Sequence, residues 1–364
     1  MTDLEDEPQP TITPPRSRSR RVVQAALSVA LVLAVFGGVL PRIADLSEVR
    51  EEIGAMTAIE GGSLLLLGVW NLVSYALVYL SALPRLRLGQ AMVVAQASTA
   101  IANTVPGGAG FGIGVTWAML ASWRFRRPEI TLLVLVTGVW NVFAKLALPV
   151  VALALLAVQG GTTTGSIAAG AAGIGILVAA VFTFAVMLRS EAGARRVGFG
   201  AQRMVNLVRR VARRAPIEGW DASAASFRST TNELLRRRWL PLTVSTLVSH
   251  LTLFAVLLLT LRHVGVSEAE VSSAVVLASF AFVRLISALP LTPGGLGVVE
   301  LGLTAALVAA GGDRASVVAS VLVYRAVTYL LPIPIGALSL LLWQRWSGRS
   351  AAQVSEGTGS SSVS

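Results

Sequence analysis

The sequence predicts an all-α, polytopic membrane protein of about 8–10 transmembrane or re-entrant helices, arranged as two inverted repeats with Pro-Gly-Gly helix breaks. Three observations predict it. Hydrophobic residues make up 54% of the 364 positions and charged residues only 13%, a balance that excludes an ordinary soluble domain. Apolar stretches of spanning length recur along the chain. Finally, Pro106-Gly107-Gly108-Ala109-Gly110 returns in the second half as Pro293-Gly294-Gly295-Leu296-Gly297, each time inside an apolar stretch. Proline and clustered glycines break helices, and at bilayer depth broken backbone survives only where it is buried in protein or lines a polar cavity. Two such breaks in corresponding places are a transporter signature.

Residues 1–21 are rich in Pro, Ser and Arg after an acidic start and read as a disordered cytoplasmic tail. The apolar run 22–40 has the position of a signal peptide, but it is long, lacks a small-residue cleavage site and precedes many more spans. It reads as an uncleaved first helix of a membrane domain covering 22–342. Further spans are expected at 61–82, 88–105, 109–122, 129–158, 166–188, 239–261, 272–290, 298–311 and 315–342. The broken pairs 88–122 and 272–311 are made of pieces at or below the ~20 residues needed to cross, so each is two short spans or one re-entrant hairpin.

Arginines set the orientation. Arg85 and Arg87, the cluster Arg124, Arg126 and Arg127, and the segment 189–238 with its twelve arginines are expected on the cytoplasmic side. The segments around 41–60, 159–165, 262–272 and 311–314 are acidic or neutral and fall outside. This assignment closes only if each Pro-Gly-Gly hairpin begins and ends on one side, the first entering from the cytoplasm and the second from outside. The halves, 61–188 and 239–342, are then inverted about a basic connector, 189–238. That connector mixes apolar positions with arginines at helical spacing, as an interfacial helix gripping anionic lipid or as a solvated link. Residues 343–364 form a second tail, and both termini are expected in the cytoplasm of a bacterial cell with the chain in its inner membrane.

Several chemistries are excluded or disfavoured. The chain has no cysteine and only His250 and His263, which removes thiol chemistry and leaves no metal-ligand cluster, so neither metal nor cofactor is expected. The net charge of +11 sits in arginines between apolar segments, which fits topology and argues against a nucleic-acid partner. Lys145 is the sole lysine, and its neighbours Ala144 and Leu146 rule out a P-loop. No paired carboxylates or nucleophile–base set appears, so the chain is not expected to be an enzyme.

Ionisable side chains inside spans are costly and by default functional. Lys145 stands near the middle of its span, roughly 20 Å from either surface at 1.5 Å per residue, beyond the reach of snorkelling. It must face a polar cavity, pair with an acid, or be neutral through a lowered pKa, and Asn141 shares its helix face and could hydrogen-bond to it. Glu300 lies in the first turn after the second break, where the helix dipole favours it, or where it meets a headgroup amine or carries a proton. Backbone N–H groups of Gly294, Gly295 and Gly297 are candidates for cradling a phosphate. Arg284 and Arg325 either neutralise Glu300 or clamp a phosphate with their planar forks. Tyr324 and Tyr329 flank Arg325 as stacking partners or packing, and His250, four residues after Thr246, reads as a hydrogen-bonded core histidine or a proton relay. The candidate binding set is therefore Lys145, Asn141, Arg284, Glu300 and Arg325 with the two turns Pro106, Gly107, Gly108, Gly110 and Pro293, Gly294, Gly295, Gly297.

The run Leu289-Pro290-Leu291-Thr292-Pro293-Gly294-Gly295-Leu296-Gly297-Val298-Val299-Glu300, followed by Val323-Tyr324-Arg325 and Leu331-Pro332, resembles the lysylphosphatidylglycerol synthase/flippase transmembrane family over about 22–342. Members often carry a basic and then an acidic residue around the first turn, where this chain has Gly108 and Phe111. The resemblance implies a multi-span protein that binds or moves a membrane lipid. That lipid is an anionic or amino-acylated phospholipid, or a related polyprenyl or hopanoid lipid. Synthase members add a soluble aminoacyl-transferase domain, whereas about twenty polar residues follow Trp343 here, so aminoacyl transfer is not expected of this chain. The competing expectation is a non-transporting scaffold or accessory subunit partnered with an envelope-lipid enzyme. That reading requires the buried charges to pair with one another and leaves no cavity between the helices.

Overall fold

The computed structural model describes residues 46–105, 108–158, 164–211, 215–288 and 292–359, and all the elements among them are helical. The expected tail 1–21, the expected span 22–40, Pro106 and Gly107 lie outside the described residues. In chain order the helices are α1 (Leu46–Ala55), α2 (Ala58–Ala82), α3 (Leu88–Thr104), α4 (Gly108–Ser122), α5 (Arg127–Val158), α6 (Thr164–Arg189) and α7 (Glu191–Val211). There follow α8 (Trp220–His263), α9 (Ser273–Ile286), α10 (Val298–Ala309), α11 (Arg314–Arg325) and α12 (Pro332–Gly359). Five segments among the described residues are long and apolar enough to cross a bilayer: Ala58–Ala82, Arg127–Val158, Ala172–Arg189, Thr231–His263 and Arg314–Arg345. The protein is thus an all-α, multi-pass membrane protein. Ile176, Val178 and Phe182 of α6 stay exposed, as residues facing lipid do.

Local chemistry sets the helix ends. Thr57 and Glu60 form a reciprocal cap on α2: the Thr57 N–H donates to Glu60 Oε2 at 2.7 Å, and the Glu60 N–H donates to Thr57 Oγ1 at 3.3 Å. Ser272 caps α9 and Asp313 caps α11 through backbone N–H groups three residues on. α2 and α8 run antiparallel, joined by Ser63 to His263 Nε2 at 2.9 Å and by Ser81 to Ser245 at 3.2 Å.

The two broken pairs are helical hairpins that enter from opposite ends of the bundle. α3 begins beside Arg87, and α4 ends at Ser122, whose Oγ accepts from Trp343 Nε1 at 2.8 Å. Arg85 pairs with Glu129 at 3.2 Å at that same, arginine-rich end. α9 begins, and α10 ends, beside the acidic loops, where a Cβ on Gly311 would lie 3.5 Å from the Glu270 carbonyl oxygen. At 1.5 Å per residue, these helices are roughly 18–26 Å long, short of the ~30 Å hydrocarbon core. Glycine lets the first pair close up: a Cβ at Gly112 would stand 2.8 Å from the Ser98 carbonyl oxygen, and one at Gly108 2.5 Å from that of Ala102.

Two apolar cores result. One gathers α9, α10 and α11 around Phe280, Leu303 and Val317; the other gathers α3 and α4 with α2 around Val94, Met119 and Tyr79. Residues of α5 and α8 belong to both.

Three stretches differ from expectation. First, the basic connector, whose helical reading is met, does not end before the span expected at 239: α7 packs against the start of α8, which runs for 44 residues from Trp220 through both, with Arg236 to Arg238 favouring helix at the join. Secondly, the last span, Arg314–Arg345, is interrupted by a π turn while its backbone stays helical. α11 stops at Arg325, a π turn covers Ala326–Leu330, and the Leu331 N–H donates to the Ala326 carbonyl at 2.9 Å. Pro332 and Pro334, lacking N–H groups, cannot continue the ordinary ladder there. Thirdly, α12 continues to Gly359, past the expected end at 342.

Two outcomes follow from this packing. Gly336 of α12 touches the backbone of Gln96 and the side chain of Ala100, so Gly336→Ala should lower unfolding stability in detergent by about 1–3 kcal/mol. Gly175→Ala, whose added Cβ meets nothing within 4 Å, should leave the melting temperature unchanged or slightly higher. In the acidic loops, hydrogen bonds from the Ser273 side chain and backbone hold the Glu268 carboxyl below its ordinary 4.5, and the Ser316 N–H holds Asp313 below its ordinary 3.8. Carboxylates lowered on folding add stability that is complete above those ordinary values and drains away as pH falls below them. Protection of the amides at the N-termini of α9 and α11 against hydrogen exchange, taken relative to their intrinsic rates, should therefore fall on acidification below about pH 4.

Candidate functional site

The second break is a tight turn of left-handed glycines. Gly294, Gly295 and Gly297 have φ of 55°, 71° and 79°, a region closed to most side chains, and a Cβ at Gly294 would also strike the Tyr329 ring. Directly after it, Glu300 opens α10 and is 1% exposed. One carboxylate oxygen accepts from the Gly297 N–H at 2.8 Å and the other from Arg325 Nε at 2.7 Å. Arg325 also donates from Nη2 to the Gly294 carbonyl at 3.3 Å, and its guanidinium lies 4.2 Å from the Tyr329 ring centroid. Tyr329, presented by the π turn, donates its hydroxyl to the Asn103 carbonyl at 2.8 Å, and Asn103 Nδ2 donates back to the Tyr329 carbonyl at 3.3 Å. Asn103 stands at the tip of the first hairpin. The two hairpins therefore meet tip to tip through one chain of contacts: Glu300, Arg325, Tyr329, Asn103.

A cavity of about 430 Å³ opens beside this junction. α5 contributes Thr137, Asn141 and Lys145, a single face at four-residue spacing, and α8 contributes Ser249 and His250. Arg284 reaches it from the end of α9, with Arg325, Gly294 and Tyr329 along one wall. Among the described residues no carboxylate lines it.

The expected site residues separate into groups. Arg325, not Arg284, is the counter-ion of Glu300, and this pair fills the structural role offered for both. Lys145 and Arg284 have no ion pair and no side-chain hydrogen bond among the described residues, and Arg284 Nε is buried without a partner. Asn141 lines the cavity with Lys145, and no hydrogen bond joins the two. Two amides offered to a phosphate are already used: Gly297 N–H by Glu300, and Gly295 N–H by the Thr292 carbonyl at 3.3 Å. Gly108 is packed into α3 and Gly110 is exposed, and neither lines the cavity. Pro293 begins the short turn Pro293–Gly295, while Pro106 and Gly107 are outside the described residues. His250 Nδ1 donates to the Thr246 carbonyl at 3.1 Å, as a hydrogen-bonded histidine should, and leaves Nε2 without a partner.

Neutral polar residues were overlooked by a reading centred on ionisable groups. Asn71, Gln96, Asn103, Thr137 and Ser249 all line the cavity from apolar helices. Their signal was available: Thr137, Asn141 and Lys145 repeat every four residues, which places them on one helix face.

A multi-pass helical protein whose half-crossing hairpins meet beside a polar, cation-bearing cavity has the construction of membrane proteins that bind ligands within the bilayer. The chain belongs to the family described as lysylphosphatidylglycerol synthase TM region, whose model matches residues 22–336. It is thus a membrane protein related to lipid handling. No curated protein matches it.

The junction yields a thermodynamic outcome. Removing one partner of a buried ion pair strands the other, so Glu300→Gln or Arg325→Leu alone should cost about 3–5 kcal/mol of stability. The double variant should cost clearly less than the two losses added, because neither charge is then left alone. Denaturant unfolding of the four proteins in detergent measures the difference.

Proposed function

We propose that this chain binds an anionic or amino-acylated phospholipid within the cavity, by its phosphate, and carries it across the bilayer, a related polyprenyl or hopanoid lipid being the alternative cargo. One observation carries the reading: Lys145 and Arg284 line a membrane-embedded cavity without an acidic partner among the described residues. Ionisable groups at such depth are expensive, and an incoming phosphate supplies the charge that the protein itself withholds. The scaffold reading required the buried charges to pair mutually and left no cavity. Only Glu300 and Arg325 meet that requirement.

In this reading the two hairpins and their flanking spans are the inverted halves of a transporter, and their junction is the point about which access alternates. The arginine-rich end faces the cytoplasm of a bacterial inner membrane, as do both termini. Transport involves no catalytic step by this chain, so neither metal nor cofactor belongs to the proposal, and an envelope-lipid enzyme is the partner that would supply or consume the lipid.

Purified protein in liposomes with labelled anionic, zwitterionic and lysyl-modified lipids tests the proposal. Wild type should move the anionic lipid between leaflets. Lys145→Ala and Arg284→Ala should each slow that movement roughly 10- to 100-fold, the worth of one charge-assisted hydrogen bond. Equal rates in wild type and both variants would refute the phosphate role, and no movement of any lipid would favour the accessory-subunit reading.

A further inference from the structure

The cavity holds acceptors as well as cations. Gln96 is 1% exposed, and its Nε2 donates to the Leu72 carbonyl at 3.2 Å, which leaves its Oε1 as a buried oxygen with no partner. His250 is 4% exposed, and because a carbonyl only accepts, its bond to Thr246 uses the Nδ1 proton. The neutral imidazole then presents Nε2, also without a partner, as a second acceptor. Both residues line the cavity that Lys145 and Arg284 line. A buried acceptor left unmade is costly, so a ligand that fits must bring hydrogen-bond donors to these atoms along with its negative charge.

Donors come as hydroxyls or as amines, and the two differ in charge. An ammonium group would enter a cavity with two unpaired cations and no lining carboxylate among the described residues, since Glu300 is engaged by Arg325 and Gly297. Like-charge repulsion at low dielectric disfavours it. Hydroxyls donate without that conflict. Resting on the proposed lipid-binding role, we infer that the cavity selects a phosphate headgroup bearing free hydroxyls, of the glycerol- or sugar-phosphate kind, over a cationic aminoacyl headgroup. Lys145 and Arg284 hold the phosphate, and His250 and Gln96 accept from the hydroxyls.

The test compares lipids of equal charge. Phosphatidylglycerol and phosphatidylmethanol are both singly charged diesters, and only the first carries hydroxyls. Each is titrated onto the full-length protein in detergent and followed by native mass spectrometry, alongside lysyl-phosphatidylglycerol and soluble glycerol phosphate. Wild type should bind phosphatidylglycerol about ten-fold or more tighter than phosphatidylmethanol, and the lysyl lipid more weakly than phosphatidylglycerol. His250→Phe and Gln96→Met should each reduce the preference for phosphatidylglycerol while keeping affinity for phosphatidylmethanol, which also shows that the variant is folded. Equal binding of the two diesters by wild type, tighter binding of the lysyl lipid, or a preference that survives both substitutions would overturn the inference. Soluble glycerol phosphate bound as tightly as phosphatidylglycerol would assign the site to a free phosphate and overturn its lipid part. If both diesters bind equally and Lys145→Ala weakens both, only the hydroxyl selection falls. If Lys145→Ala and Arg284→Ala change neither, the phosphate site itself falls.

Discussion

The buried pair of Glu300 and Arg325 is the interaction on which the rest of the site depends. A chain that stops a helix inside a bilayer exposes backbone groups that no water can satisfy, and those groups must find partners in the protein. Glu300 takes the Gly297 N–H at the start of α10, and Arg325 takes the Gly294 carbonyl. Each charge thus closes part of the broken turn while cancelling the other. The glycines are the geometric condition for this arrangement: a side chain at 294 would displace the Tyr329 ring that lies under the guanidinium.

Because that pair consumes the carboxylate of Glu300, the remaining cations acquire their meaning. Lys145 lies on α5, too deep along the helix to reach either surface, and Arg284 lies at the end of α9. Had two acids been placed opposite them, the cavity would be neutral and would hold no net attraction for an anion. The protein instead surrounds two cations with uncharged polar groups from α2, α3, α4, α5, α8 and α11 with its π turn, which place dipoles around the charge without cancelling it. Uncharged dipoles of this kind lower the cost of holding a cation in a low-dielectric setting and keep its attraction for an anion.

Much of this was legible in the sequence. Span positions follow from apolar run length, and the observed ends of α2 to α6 and of α9 and α10 fall within a few residues of expectation because capping residues, prolines and arginine clusters mark them. The opposite entry of the hairpins followed from where the arginines sit. Two features were hidden. The π turn at Ala326–Leu330 lies in a run whose hydropathy is uninterrupted, and only Pro332 and Pro334 announce it. The pairing of Arg325 rather than Arg284 with Glu300 is a matter of tertiary distance, since both arginines are remote from it in sequence and either satisfies the charge count. The neutral lining residues were visible as a helical face and were passed over because Asn, Gln, Ser and Thr within a span carry no charge to raise suspicion.

The junction is also unequal in strength along its length. Within the second hairpin and α11 it is a charge-assisted, fully buried pair, whereas between Tyr329 and Asn103 it consists of two neutral hydrogen bonds, each worth about 0.5–1.5 kcal/mol net. A conformational change that parts the hairpin tips would therefore run between Tyr329 and Asn103 and leave the glycine turn intact. The exchange is favourable only if the freed groups find new partners, and the hydroxyl of Tyr329 and the amide of Asn103 already border the cavity in which a polar headgroup would lie. Under the proposed function, such a headgroup would lower the cost of separating the tips through the same atoms that now hold them together. Ligand binding and opening would then be coupled through differential contacts to one element, which is what a population shift requires.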